Sequence, residues 1–175
     1  AISPDYIENK NKKNKKEFEE KETITAGAML FKTEIFKKLM GFDNNIFLYY
    51  EDNDFFRKCR LRKYKLYIAR NCYHHHKKKD SSSAIYKNRE EREYFRLIAG
   101  WHGQWSKFYY TKKYNGYFYS LYKSIPRLLI LIIQLILSVF INFKRTKYLY
   151  FRIEGLFSSI IGLPAFKRSK FDKSN

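Results

Sequence analysis

The sequence predicts an α/β region followed by an α-helical, membrane-associated tail. Three observations predict it. Short apolar runs alternate with helical patterns between residues 24 and 69, the order expected of packed α/β layers. After Ser81-Ser82-Ser83 the period becomes helical. A long apolar run then extends from Pro126 to Phe143.

Residues 8–23 are almost wholly polar and read as a solvated loop with at most one helical turn. Thr23 to Phe31 reads as a buried strand with small residues in its middle. Thr33 is placed to cap a short helix over Glu34 to Met40, and Gly41 to end it. Ile46 to Tyr50 reads as a short aromatic strand. Glu51 to Lys63 reads as a helix, with acids in its first turn and bases in its last, as the helix dipole prefers. Lys65 to Ala69 is a further strand. Ile85 to Lys113 is one long helix or two abutting ones, with Tyr94, Ile98, Trp101, Trp105 and Phe108 on one face.

The run opened by Pro126 has 18 residues, about 27 Å as a helix against a hydrocarbon core of about 30 Å. Its polar residues Arg127, Gln134, Ser138 and Asn142 fall on one helical face. That stripe suits a helix packed on a partner or lying in the interface. Tyr148 to Leu163 carries Gly155, Ser158, Ser159 and Gly162 on one side, small enough for close helix contact. A membrane-embedded hairpin or interfacial pair follows, with Lys144, Arg145 and Lys147 at its turn; a soluble core helix is the competing reading. The expected organisation is a polar linker (1–23), an α/β region (24–83), amphipathic aromatic helices (84–124), the membrane-associated hairpin (125–165) and a basic tail (166–175).

Charge narrows the partners. Lys and Arg number 36 against 17 Asp and Glu, a net +19. Residues 1–23 are neutral, residues 24–80 carry +7 and residues 81–175 carry +12. Such an excess predicts an anionic partner. A basic, aromatic half also suits RNA, but no recognition-module signature is present and the apolar run fits lipid better. The expected partner is an anionic membrane surface, and no nucleic acid. Two cysteines, Cys59 and Cys72, make no disulfide framework, which points to a reducing compartment. No signal-peptide pattern opens the chain. Its first residue is Ala1, so a fragment lacking an N-terminal part is expected.

Chemistry is best placed at Phe47-Leu48-Tyr49-Tyr50-Glu51-Asp52-Asn53-Asp54. Three carboxylates stand where a helix begins, at the strand end where open α/β sheets place ligands. A carboxylate there accepts a proton from a substrate hydroxyl or helps hold a divalent cation. The same acids also fit capping and dipole compensation. Cys72-x-His74-His75-His76 is a second candidate. Consecutive histidines cannot all converge, so at most two would share a metal; a basic HHHKKK loop is the alternative.

Taken in order, these pieces resemble the later part of a family 2 glycosyltransferase of the rhamnosyltransferase-like branch. The resemblance runs from Gly27-Ala28-Met29-Leu30 through Gly41-Phe42-Asp43 and the acidic run to His74-His75-His76 and Ser81–Ser83. It implies the C-terminal part of a GT-A (nucleotide-diphospho-sugar transferase) fold. It also implies an inverting transfer from a nucleotide-sugar donor to a lipid-linked or polysaccharide acceptor, with Mg2+ or Mn2+. By that resemblance Asp52 is the catalytic base, Glu51 and Asp54 bind the acceptor, and Gly27 and Ala28 line the donor-sugar pocket. His75 or His76 approaches the metal. The implied location is the cytoplasmic face of the inner membrane. The sequence departs from the family where Gly is usual and Met40 and Lys63 stand, and where Glu is usual and Asn44 stands. Lys58 replaces the usual Arg after the acidic run. The family's nucleotide-binding strands and Asp-x-Asp motif have no equivalent in residues 1–23, so the chain alone is expected to be inactive and the complete protein to be the enzyme.

Overall fold

The computed structural model describes residues 2–5, 17–24, 28–73 and 88–168. The chain forms two compact units, one of residues 1–43 and 51–80, the other of residues 44–50 and 81–175.

The first unit holds a three-stranded sheet and two helices. Strands β1 (Ile2–Asp5) and β2 (Phe18–Lys21) flank the central β3 (Leu66–Tyr73). β1 pairs with β3 in parallel, with Ile2 opposite Tyr67. β2 pairs with it antiparallel, with Phe18 opposite Ala69. Helices α1 (Thr33–Lys38) and α2 (Glu51–Leu61) bury Leu39, Phe55, Phe56 and Cys59 against Ile24 and Leu66. Phe55 is the centre of this core, its ring 5.3–5.6 Å from those of Phe31, Phe36 and Phe42.

Both helices of this unit close in the same way. Past α1, the Met40 amide donates to the Lys37 carbonyl and the Gly41 amide to Phe36. Past α2, Lys63 donates to Arg60 and Tyr64 to Cys59. These are Schellman closures, whose first residue beyond the cap takes a left-handed backbone, usually a glycine's. Here that residue is Met40 (φ 58°) and Lys63 (φ 60°). A side chain in this conformation costs roughly 1–2 kcal/mol, which glycine avoids.

The second unit is built on three helices. They are α3 (Arg89–Asn115), α4 (Tyr117–Val139) and α5 (Phe143–Ile160). Asn88 caps α3, accepting from the Glu91 amide at 2.8 Å. Ile98, Trp101, Trp105 and Phe108 of α3 are buried. α5 crosses α3 at Gly155, where a Cβ would overlap the Trp101 carbonyl oxygen. α5 ends in a third Schellman closure, and there Gly162 supplies the left-handed residue. Beyond it, residues 163–168 fold back on α3. The Trp105 indole donates to the Leu163 carbonyl (2.9 Å), and the Phe166 ring packs on Trp101.

The expectation of an α/β GT-A fold is overturned. The described residues are mostly helical, and of the foreseen strands Lys65–Ala69 alone joins their small sheet, as part of the central β3. Ile46–Tyr50 is not a strand: Tyr49 and Tyr50 both have left-handed backbones (φ 64° and 70°), which no β ladder admits. Thr23–Phe31 forms no described strand beyond a single bridge at Leu30, and residues 25–27 lie outside the described residues. Part of the foreseen loop 8–23 is strand β2 instead. Thr33 is the first residue of α1, not its cap, and Lys32 stands at the cap without a side-chain bond. Pro126 lies inside α4, which begins at Tyr117. The small side of α5 meets α3 at Gly155 as well as packing beside α4.

Two substitutions test this packing. Gly155→Ala forces a methyl into the Trp101 backbone and should lower stability by about 2–3 kcal/mol, read as a drop in melting temperature. Lys63→Gly relieves a left-handed side chain and should raise stability by about 0.5–1 kcal/mol. Unchanged melting in the first variant would contradict the helix crossing.

Candidate functional site

The acidic run opens α2. Glu51, Asp52 and Asp54 occupy its first turn, Lys58 and Arg60 its last. Residues two apart on a helix point to opposite sides, and the three carboxylates accordingly have three different surroundings.

Asp52 is half-buried. Its Oδ1 accepts from the Asn53 amide (2.7 Å) and side-chain Nδ2 (2.9 Å). This holds the carboxylate at the helix start, where the dipole favours its charge. Glu51 is also half-buried, and its Oε2 has no hydrogen-bond partner among the described residues. Burial, with a smaller push from the Asp52 charge, raises its pKa above the ordinary glutamate value. Asp54 points inward and is wholly buried. Lys58 lies 3.2 Å from its Oδ2 and donates to the Gly41 carbonyl at 3.0 Å. A buried carboxylate needs such a partner. Lys58 is the counter-charge of Asp54, and its ammonium also ties α2 to the chain at Gly41.

Of the other predicted residues, Ala28 is described and half-buried. Gly27, His75 and His76 lie outside the described residues, as does His74. Among the described residues no group of three metal-ligating side chains converges. Asp54 is committed to Lys58 and faces away from Asp52, so the three carboxylates do not converge.

The second unit contains groups that sequence reasoning missed. His102 is fully buried between Phe47 and Trp101. Its Nε2 lies 2.7 Å from the Lys167 carbonyl, to which it donates in the tautomer that satisfies this contact. Burial drives its pKa down to about 4, so it is neutral in the fold. Ser106 donates to the Leu48 carbonyl at 2.8 Å, and the Tyr50 and Tyr110 rings lie 5.3 Å apart. Both hold residues 44–50 within this unit. No signal in the sequence marks His102 or Ser106, because their partners are main-chain carbonyls far away in the chain.

The membrane candidate is α4. It is long and apolar enough to cross a membrane, and little of its apolar window is buried. Leu129, Ile133, Ile136 and Leu137 are all more than half exposed, as are Phe140, Ile141 and Phe143 at the turn into α5. Arg127, Gln134 and Ser138 of the polar stripe face inward, while Asn142 is exposed and caps α5. Arg127 donates to Gln104 on α3 (2.5 Å), and Ser138 meets Thr146 on α5 (3.0 Å). Polar residues inside and apolar residues outside invert the pattern of a soluble bundle.

Comparison with protein-family models, with curated proteins and with solved structures finds no match for this chain.

The His102 environment has a pH signature. Its folded pKa lies below the unfolded value of about 6.5, so the unfolded chain binds the proton first as pH falls. Stability should therefore decline between pH 6.5 and about 4. His102→Phe should flatten that decline while costing about 1 kcal/mol at neutral pH for the donor lost at Lys167. Chemical denaturation across this range checks both.

Proposed function

We propose that this chain carries the acidic motif and the membrane-attached part of an inverting sugar transferase. Its donor is a nucleotide sugar, and its acceptor is lipid-linked or part of a surface polysaccharide. Asp52 takes the proton of the acceptor hydroxyl. The hydroxyl oxygen bonds to the anomeric carbon as the bond from that carbon to the nucleoside diphosphate breaks. The leaving group departs with the electron pair, and the configuration inverts. Asp52 suits this role because one oxygen is oriented by Asn53 and the residue is not sealed in the core. Glu51 beside it bears on the acceptor side, and Asp54 acts as a positioning residue through Lys58.

The observation that carries this reading is backbone geometry. The resemblance expects glycine at two positions where this chain has Met40 and Lys63. At both, the backbone is left-handed and ends a helix in a Schellman closure. That is the conformation glycine adopts without cost. Two such coincidences, one before and one after the acidic run, support the correspondence of those residues with the family's. They do so without any appeal to the overall fold.

The exposed apolar face of α4 supports membrane attachment. The basic residues of the C-terminal half would face anionic headgroups on the cytoplasmic side, where each contributes ~1 kcal/mol. The rival reading is a basic membrane-associated protein without activity, in which Asp52 only stabilises a helix start.

Asp52→Asn in the full-length protein decides between them. Transfer of labelled sugar from a panel of nucleotide sugars into membrane glycolipid or polysaccharide should fall at least ~100-fold, with the melting curve nearly unchanged. Undiminished transfer would remove Asp52 from the mechanism.

A further inference from the structure

Helices α3, α4 and α5 line a half-open cavity of about 380 Å³. Four of its lining residues are cations: Lys107 on α3, Lys123 and Arg127 on α4, and Arg152 on α5. None of its lining residues is an acid. Among the described residues, none of the four cations makes an ion pair, although the same unit has ion pairs elsewhere, such as Lys167 with Glu154 and Lys144 with Glu93. The contacts of Arg127, Arg152 and Lys123 are with neutral groups. The Arg127 Nε donates to Gln104, leaving its two terminal nitrogens for another acceptor. The Arg152 guanidinium lies 5.5 Å from the Tyr148 ring centre, and the Lys123 ammonium 5.7 Å from that of Tyr119.

Lys107 and Lys123 reach solvent, while Arg127 and Arg152 are half-buried. Burial, and next the charge of Arg127, lowers the pKa of Lys107. Burial also lowers that of Arg152, and Arg127 again adds to the effect. Lys107 and Arg152 each feel the charge of Arg127, so cations of three helices meet at one cavity, the condition an anion relieves. The cavity is also two-sided. Ile130, Leu131 and Leu156 line it along with the cations, and Ile130 is itself more than half exposed on the outer side of α4. A polar end beside an apolar edge fits an amphiphile better than a free ion.

We infer that this cavity binds the phosphate group of a membrane lipid, with Arg127 at its centre and Lys107, Arg152 and Lys123 around it, the lipid chain lying along α4. The inference rests on α4 meeting lipid and is independent of sugar transfer. Arg127 provides the bidentate fork that a phosphate monoester accepts, and the lysines act as point charges.

The test is flotation of the whole protein with vesicles of phosphatidylcholine containing either phosphatidic acid or phosphatidylglycerol, matched in surface charge. Binding should favour the phosphate monoester of phosphatidic acid. Arg127→Gln should weaken that binding about tenfold, and Lys107→Gln should weaken it in the same direction. Lys147→Gln, which removes an equal charge from an exposed position outside the cavity, should leave the preference in place. In lipid-free micelles Lys107→Gln should melt no lower than the parent, because it removes a repelling charge; this separates loss of the site from loss of the fold. Equal binding to the two vesicles, or equal losses in the Arg127 and Lys147 variants, would reduce the effect to diffuse attraction and overturn the site. Inorganic phosphate that raises the melting temperature as much as a short-chain phosphatidic acid does would overturn the lipid assignment in favour of a free phosphate.

Discussion

The crossing of α3 and α5 at Gly155 is the constraint on which the second unit depends. Only a residue without a side chain lets α5 come this close to the Trp101 backbone. The closeness brings Tyr148 between Arg96 and Arg152, whose guanidinium carbons lie 5.1 and 5.5 Å from its ring centre. It also lets Lys144, in the first turn of α5, reach Glu93 at 2.9 Å. With α5 seated there, α4 has two helices to lean on and can turn its polar stripe towards them. Its apolar side is then left outward. The inverted surface follows from the packing of α3 and α5 as much as from the composition of α4.

The helices and the central strand β3 were legible in the sequence and the rest of the sheet was not, for a physical reason. Trp101, Trp105 and Phe108 repeat at helical spacing, and burial of that face is what holds α3 in place. The acids and bases of Glu51–Lys63 likewise announce a helix with its dipole compensated. Strand β2 reads FEEK and lies at a sheet edge, where one-sided pairing asks for no apolar alternation. Ile46–Tyr50 has the aromatic content of a strand, yet Tyr49 and Tyr50 turn left-handed. Their cost, on the order of 1–2 kcal/mol each, is met by contacts local pattern cannot reveal. These include the Ser106 hydroxyl on Leu48 and the Tyr110 ring beside Tyr50.

The candidate sites divide along the same line. The acidic run is contiguous, so its presence needs no tertiary knowledge. That Asp54 is spent on Lys58, which reaches the Gly41 carbonyl, becomes visible only when α2 is set beside the end of α1. The inward stripe of α4 signalled Arg127 as a residue with a partner. Lys107 and Arg152 gave no such signal, since each looks like an ordinary solvated cation on its own helix. Their meaning appears only when three helices bring them to one cavity.

Three of the holds of α3 on its flanking segments are made to main-chain atoms. Ser106 grips the carbonyl of Leu48, Trp105 that of Leu163 and His102 that of Lys167. A carbonyl is the same whichever residue carries it. Evolution is therefore freer at Leu48, Leu163 and Lys167 than at Phe47, Tyr50 and Phe166, whose rings pack on α3, provided the segment lengths are kept. The three gripping side chains have no such freedom. Divergent copies of this protein should differ in what is held and agree in what holds it.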